Sequence, residues 1–149
     1  MEKTGPRDAT PAGDAGEAGV ERAALAREAM AVWNEEGLEA FAERYWHPDI
    51  VWEEPQAFPD SAVRRGRDEC LRRMRERLSL LGHVELKPVD VTVVRDRVLI
   101  EATVSGKGAS SGVPTGMREY FVLDSRGPQA VRFREFLDRE AAAAALREP

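Results

Sequence analysis

Three glutamates are the residues best placed to do chemistry. They sit in the short runs Ile50-Val51-Trp52-Glu53-Glu54, Met117 to Leu123, and Phe133-Arg134-Glu135-Phe136-Leu137. Each run has the composition of a strand, and successive side chains of a strand point to opposite faces. Glu54 therefore shares a face with Ile50 and Trp52. Glu119 shares one with Met117, Phe121 and Leu123, and Glu135 shares one with Phe133 and Leu137. In each set the large apolar members mark the inward side. A carboxyl on such a face is costly unless paired or protonated, and low dielectric raises its pKa toward values useful for proton transfer. General acid and general base catalysis is the chemistry that these positions offer.

Few other side chains compete with them. One Cys and two His exclude an intrachain disulfide and a Cys/His zinc cage, and no metal-ligand spacing appears. His47 reads as a loop residue before Pro48-Asp49, and His83 opens a strand. Cys70 lies near the start of a helix without a histidine close in sequence, which argues against a nucleophile. Ser105-Gly106-Lys107-Gly108 joins strands and opens no helix, so it is not a phosphate loop. Arg64, Arg65, Arg67, Arg72, Arg73, Arg75 and Arg77 stand against only Asp68, Glu69 and Glu76. That run reads as the solvated face of a helix. Trp33, Trp46 and Trp52 read as core or pocket.

The elements that must position these residues follow from periodicity. Residues 1–19 are rich in Gly, Ala, Pro, Asp and Thr without apolar spacing, and are expected to be a flexible tail. Leu25, Ala29, Val32 and Trp33 mark a first helix ending near Asn34 and Gly37, and Leu38, Phe41, Ala42 and Tyr45 mark a second. His47-Pro48-Asp49 breaks it, and Ile50 to Glu54 is the first strand. A third helix spans about Asp68 to Leu81, with Leu71, Met74, Leu78 and Leu81 as its stripe and Gly82 as its stop. The period then falls to two. Val84 to Val94 is one long strand or two broken at Pro88, followed by strands at Val98 to Val104, Met117 to Leu123 and Ala130 to Leu137. Residues 107–114 form a Gly/Ser loop, and Ala141 to Leu146 is a short terminal helix. Helices followed by hairpin-linked strands predict an α+β fold, with helices packed on one side of a curved antiparallel sheet.

The chain has 149 residues, enough for one domain that buries roughly 70% of its unfolded surface. A net charge of −5 argues against nucleic acid and anionic lipid as partners. No apolar run reaches the roughly 20 residues needed to span a bilayer. The opening Met-Glu-Lys-Thr-Gly-Pro lacks the apolar stretch of a secretory signal, so the expected location is cytoplasmic.

Three strings carry a resemblance. They are His47-Pro48-Asp49-Ile50-Val51-Trp52, Arg65-Gly66-Arg67-Asp68, and Val131-Arg132-Phe133-Arg134-Glu135-Phe136-Leu137-Asp138. With the order of elements, they make residues 20–147 resemble the SnoaL-like branch of the nuclear transport factor two superfamily. Polyketide cyclases, ketosteroid isomerase and limonene epoxide hydrolase are its relatives. The resemblance implies a cone-shaped curved sheet wrapped around three N-terminal helices, with a short C-terminal helix. It also implies an apolar pocket inside and a homodimer through the outer sheet face.

The same resemblance suggests roles. Trp52-Glu53-Glu54-Pro55 looks like the isomerase segment in which the acid before a proline is the base. Glu135 matches the water-activating residue of the epoxide hydrolase. Glu54 and Glu135 are thus the expected catalytic pair, one acid and one base. Trp33, Trp52, Phe58, Met74, Leu78, Met117, Glu119, Phe121, Phe133 and Leu137 are the expected ligand-binding residues. The sequence departs from both relatives: Phe121 stands where the isomerase has its second acid, and the hydrolase's arginine and second aspartate fall near Glu119 and Phe121. Neither mechanism transfers intact. The expected activity is a cofactor-independent isomerase, cyclase or epoxide/lactone hydrolase, without a metal, on a small apolar or polycyclic substrate. The alternative is a non-catalytic binding module for an apolar ligand.

Overall fold

The computed structural model describes residues 16–107 and 114–149, so the expected tail up to residue 15 and the Gly/Ser segment 108–113 lie outside it. Helix α1 covers Gly16–Glu36 and α2 covers Leu38–Tyr45. The first helix begins four residues inside the stretch expected to be tail. Gly37, at φ 94°, makes the left-handed step between the two helices that other residues adopt only with strain. Strand β1 (Trp46–Glu53) follows directly, then the three-residue β2 (Val63–Arg65) and α3 (Arg67–Leu81). Strands β3 (Val84–Val94), β4 (Arg97–Lys107), β5 (Pro114–Arg126) and β6 (Gln129–Phe136) complete the sheet, and α4 (Arg139–Leu146) ends the chain.

The fold is α+β, with six strands ordered β2-β1-β6-β5-β4-β3 in one curved, unclosed sheet. Neighbours are antiparallel except β1 and β6, which run parallel, with Trp52 level with Phe133. A parallel pair was not expected, because period-two alternation is the same for either direction. Pro88 does not break β3; the ladder absorbs it as a bulge between Pro88 and Asp90. His47-Pro48-Asp49 is likewise held within β1, at a register shift between Trp46 and Val51.

The concave face holds the core. Trp33, Leu38, Ala42, Trp46, Ile50, Trp52 and Phe133 form one buried cluster, and Met30, Val93, Val98, Ile100 and Ala102 form another. Phe133 stacks on Trp46 at 5.6 Å and on Trp52 at 5.3 Å between centroids. Helix α1 is fastened to β3 by polar contacts at the edge of this core. The Trp33 indole donates to the Val84 carbonyl at 3.0 Å, and the Asn34 amide exchanges two hydrogen bonds with the Leu86 backbone. The outer face carries α4, whose Ala142 and Ala145 pack on Tyr120 and Val122. Asp138 caps that helix by accepting from the Ala141 N–H at 3.0 Å. No helix among the described residues is long and apolar enough to cross a membrane.

Candidate active site

Strand register brings the three glutamates into one row. On the parallel β1/β6 ladder Glu53 lies level with Arg134, so Glu54, one residue on, comes level with Glu135. On the antiparallel β5/β6 ladder Phe121 faces Glu135, which leaves Glu119 as the diagonal neighbour on the same face. All three are buried. Helix α3 crosses above the row. Its N-terminus is set by Gly66, at φ 90°, whose N–H donates to the Ile50 carbonyl at 2.8 Å and so ties the helix to β1. Arg73 and Arg77, one turn apart, then project from one side of the helix onto the carboxylates.

Glu54 is fully buried and held by arginine. Arg64 Nε donates to its Oε2 at 2.7 Å, and Arg73 donates to its Oε1 from Nη2 at 3.1 Å and from Nε at 3.2 Å. It does not reach the apolar cavity. The expectation that Glu54 serves as a proton-transferring base there is therefore not supported by its position: both carboxyl oxygens are already engaged by cations on the far side of Arg77.

Glu135 is in a different setting. Arg77 grips it with two prongs, Nη1 to Oε1 at 3.0 Å and Nη2 to Oε2 at 3.1 Å, and the Trp52 indole donates to Oε1 at 3.1 Å. The Arg77 guanidinium lies between the Phe58 ring at 4.8 Å and the Trp52 ring at 5.3 Å. Its Nη1 also comes within 3.9 Å of Glu54, so one cation bridges the two layers. The diagonal neighbour of Glu135 on the same face of the β5/β6 ladder is the Glu119 carboxyl.

Burial pushes the Glu119 carboxyl up to about 9, reinforced by its hydrogen bond to Glu135 and by that group's charge. Burial also opposes charge on Glu135. There it is outweighed by the hydrogen bonds from Glu119, Arg77 and Trp52 and the Arg77 charge, so Glu135 is held below the usual carboxylate range. The two shifts run in opposite directions, favouring the proton on Glu119 and the charge on Glu135.

This dyad forms part of the wall of a cavity of about 170 Å³ between the helices and the sheet. The remaining wall is largely apolar. Of the expected ligand-binding residues, Trp33, Met74, Leu78, Glu119, Phe121 and Phe133 line it, and so does Glu135. Four expected residues do not. Trp52 is fully buried beneath Phe133 and meets the site through its indole N–H and the ring face under Arg77. Phe58 covers Arg77, Met117 is 45% exposed near the start of β5, and Leu137 lies past the end of β6.

The arginine run is only partly a solvated face. Arg72 and Arg75 pair with exposed partners on the surface. Arg64, Arg73 and Arg77 instead turn inward to Glu54 and Glu135, and Arg67 donates to the Trp46 carbonyl at 2.6 Å. Arg77 is the functional residue that sequence reasoning missed. The signal was available: three inward carboxylates need partners, and the densest source of cations is the helix between the strands that bear them. Cys70 is buried, and desolvation pushes its thiol up to about 11. Among the described residues no group of three or more His, Cys, Asp or Glu is placed to hold a metal ion.

Comparison with known proteins agrees with this architecture. The SnoaL-like domain family matches residues 26–139. The chain belongs to that family. No curated protein matches it. Solved structures share the SnoaL-like fold at low identity. An NTF2-like protein of unknown function from Burkholderia pseudomallei K96243 is 16% identical, over 85% of this chain and 98% of that one, with a TM-score of 0.67. AclR, a putative hydroxylase from Streptomyces galilaeus, is 20% identical over 87% and 98%, with a TM-score of 0.65. TerC, co-crystallised with polyporic acid, is 17% identical over 85% and 98%, with a TM-score of 0.67.

Proposed function

We propose that this SnoaL-like protein is a cofactor-independent acid–base enzyme acting on a small apolar molecule held in the cavity. One observation carries the reading: two buried carboxyl groups, diagonal neighbours on the β5/β6 ladder, line one apolar cavity, and only Glu135 is held by Arg77 and the Trp52 indole. Glu135 is the base, and Glu119 is the acid that returns or supplies a proton. The expected pair was Glu54 with Glu135; in this reading Glu119 takes the place of Glu54 beside Glu135. The proton-transfer steps open to the pair are abstraction beside a carbonyl, as in isomerisation or aldol-type cyclisation, and activation of water for epoxide or lactone opening. Arg77 and Trp52 keep Glu135 charged and oriented, and Glu54 with Arg64 and Arg73 forms the support behind Arg77.

A panel of ketones, lactones and epoxides, incubated with the protein in deuterated water, tests this. Proton abstraction reads out as deuterium incorporation, and hydrolysis as product. Glu135→Gln is expected to lower either rate about 10²–10⁴-fold, the usual contribution of a general base. Compounds that bind but show neither exchange nor turnover would leave the non-catalytic binding module as the better reading. The homodimer implied by the family resemblance belongs to this proposal as well. Its interface would have to use α4 or the part of the outer face that α4 leaves uncovered.

A further inference from the structure

We infer that the cavity takes an uncharged molecule of about one ring, carrying an oxygen that meets the Glu119–Glu135 pair, and that it excludes carboxylic acids, amines and polycyclic compounds. This rests on the reading that the cavity is the ligand site, and it does not require catalysis.

The charge part comes from the wall. Its ionisable carboxyls and guanidiniums belong to Arg22, Arg77, Glu119 and Glu135. Arg22 is already paired with Asp96 at 3.1 Å. Glu119 and Glu135 are buried diagonal neighbours on the β5/β6 ladder, and like charges so placed disfavour one another, so the pair holds one negative charge. Arg77, gripping Glu135 with both prongs, cancels it. The layer behind is also closed on itself: Glu54 is bound by Arg64 and Arg73, and these reach on to Glu69 at 3.6 Å and Glu76 at 3.4 Å. No uncompensated charge faces the cavity. A ligand carboxylate would give up its hydration in an apolar space and gain no counter-ion, and an ammonium would find one only by driving the proton off Glu119. A carbonyl or hydroxyl oxygen loses far less, and the dyad and the remaining Arg77 N–H groups can satisfy it.

The size part comes from the volume. An apolar cavity of roughly 150 Å³ takes up benzene, whereas pockets for drug-sized ligands run roughly 300–1,000 Å³. At about 170 Å³ this cavity belongs with the former. Met74 and Leu78 from α3 face Phe121 and Phe133 across it, and a fused-ring ligand would have to displace side chains from both walls.

The test is calorimetric binding to the full chain at pH 7 with four matched probes: a methyl-substituted cyclohexanone, the corresponding cyclohexane carboxylic acid, the corresponding cyclohexylamine and a tetracyclic ketone. The monocyclic ketone is expected to bind, with the acid, the amine and the tetracycle at least about 100-fold weaker, reflecting the unpaired charge and the forced repacking. Leu78→Phe, which fills the cavity, is expected to abolish ketone binding while leaving a cooperative unfolding transition. Binding of the acid or amine as tight as the ketone would overturn the charge argument. An acid that binds through Arg22, losing its affinity in Arg22→Ala, would overturn the charge argument equally. Preferred binding of the tetracycle would overturn the size argument, and no binding by any probe would overturn both. Ketone binding without exchange in deuterated water, together with no turnover of the lactones and epoxides, would sink the enzymatic reading and leave this one standing.

Discussion

Glu119 and Glu135 meet diagonally across the β5/β6 ladder, and Arg77 closes on Glu135 with both prongs. The asymmetry has a single physical origin. Both carboxyls are buried, but only one has a cation and an indole N–H to offset the loss of water. The proton therefore stays on the other.

That arrangement makes stability depend on pH in a defined direction. Unfolded, Glu119 ionises near 4.5; folded, it stays protonated up to about 9. Its contribution is fully present below 4.5 and is lost as pH rises toward 9, with a slope of at most about 1.4 kcal/mol per pH unit. Glu135 behaves oppositely: its contribution is present above 4.5 and is lost as pH falls through its lowered folded pKa. Urea unfolding of the wild type from pH 5 to 9 should show falling stability, and Glu119→Gln should flatten that slope. An equally steep slope in the variant would refute the protonated Glu119.

Arg77→Met leaves Glu135 buried without its counter-ion. The expected cost is about 3–5 kcal/mol, the range for breaking one side of a buried pair. Equilibrium denaturation measures it, and a loss below about 1 kcal/mol would place the Arg77–Glu135 contact with ordinary surface bridges.

Glu54→Gln tests whether the residue before Pro55 is a base or a support. It removes the charge that Arg64 and Arg73 share and should lower stability by about 2–4 kcal/mol. Against a substrate found by the exchange assay, its rate should fall far less than that of Glu135→Gln. Equal losses would return Glu54 to the reacting centre.

Cys70 should be inert. Its thiol is buried and pushed up to about 11, so almost no thiolate exists at pH 7.5. Labelling by a disulfide reagent should be slow in the native protein and immediate after unfolding. Rapid native labelling would mean that the α3 end of the core opens readily.

Much of this site could be read from residue spacing. Parity alone puts Glu54, Glu119 and Glu135 on the inward face, and the register unites them. Parity does not tell which of three inward carboxyls borders open space, because that depends on what α3 lays over each one. Helical periodicity was also silent about Arg73 and Arg77. A long side chain flanking an apolar stripe can point to water or fold back over the core, and only the buried charges opposite decide it. Trp52 and Leu137 show the same limit from the strand side. Trp52 shares a face with Glu54 yet is sealed beneath Phe133, and Leu137 follows the last residue of β6. The three-residue β2 carries no alternation long enough to read.

The parallel pairing of β1 with β6 reaches beyond architecture. It joins Trp52 to Phe133, so the layer beneath the dyad is closed by contacts between distant parts of the chain. Long-range contacts of this kind slow folding, because the intervening loop must close before they yield any stabilisation. During synthesis, Trp46 and Trp52 lack the Phe133 ring, and Arg77 lacks Glu135, until residues 129–136 have emerged. The partly made chain is therefore the species most exposed to aggregation, and the final strand both completes the site and ends that exposure.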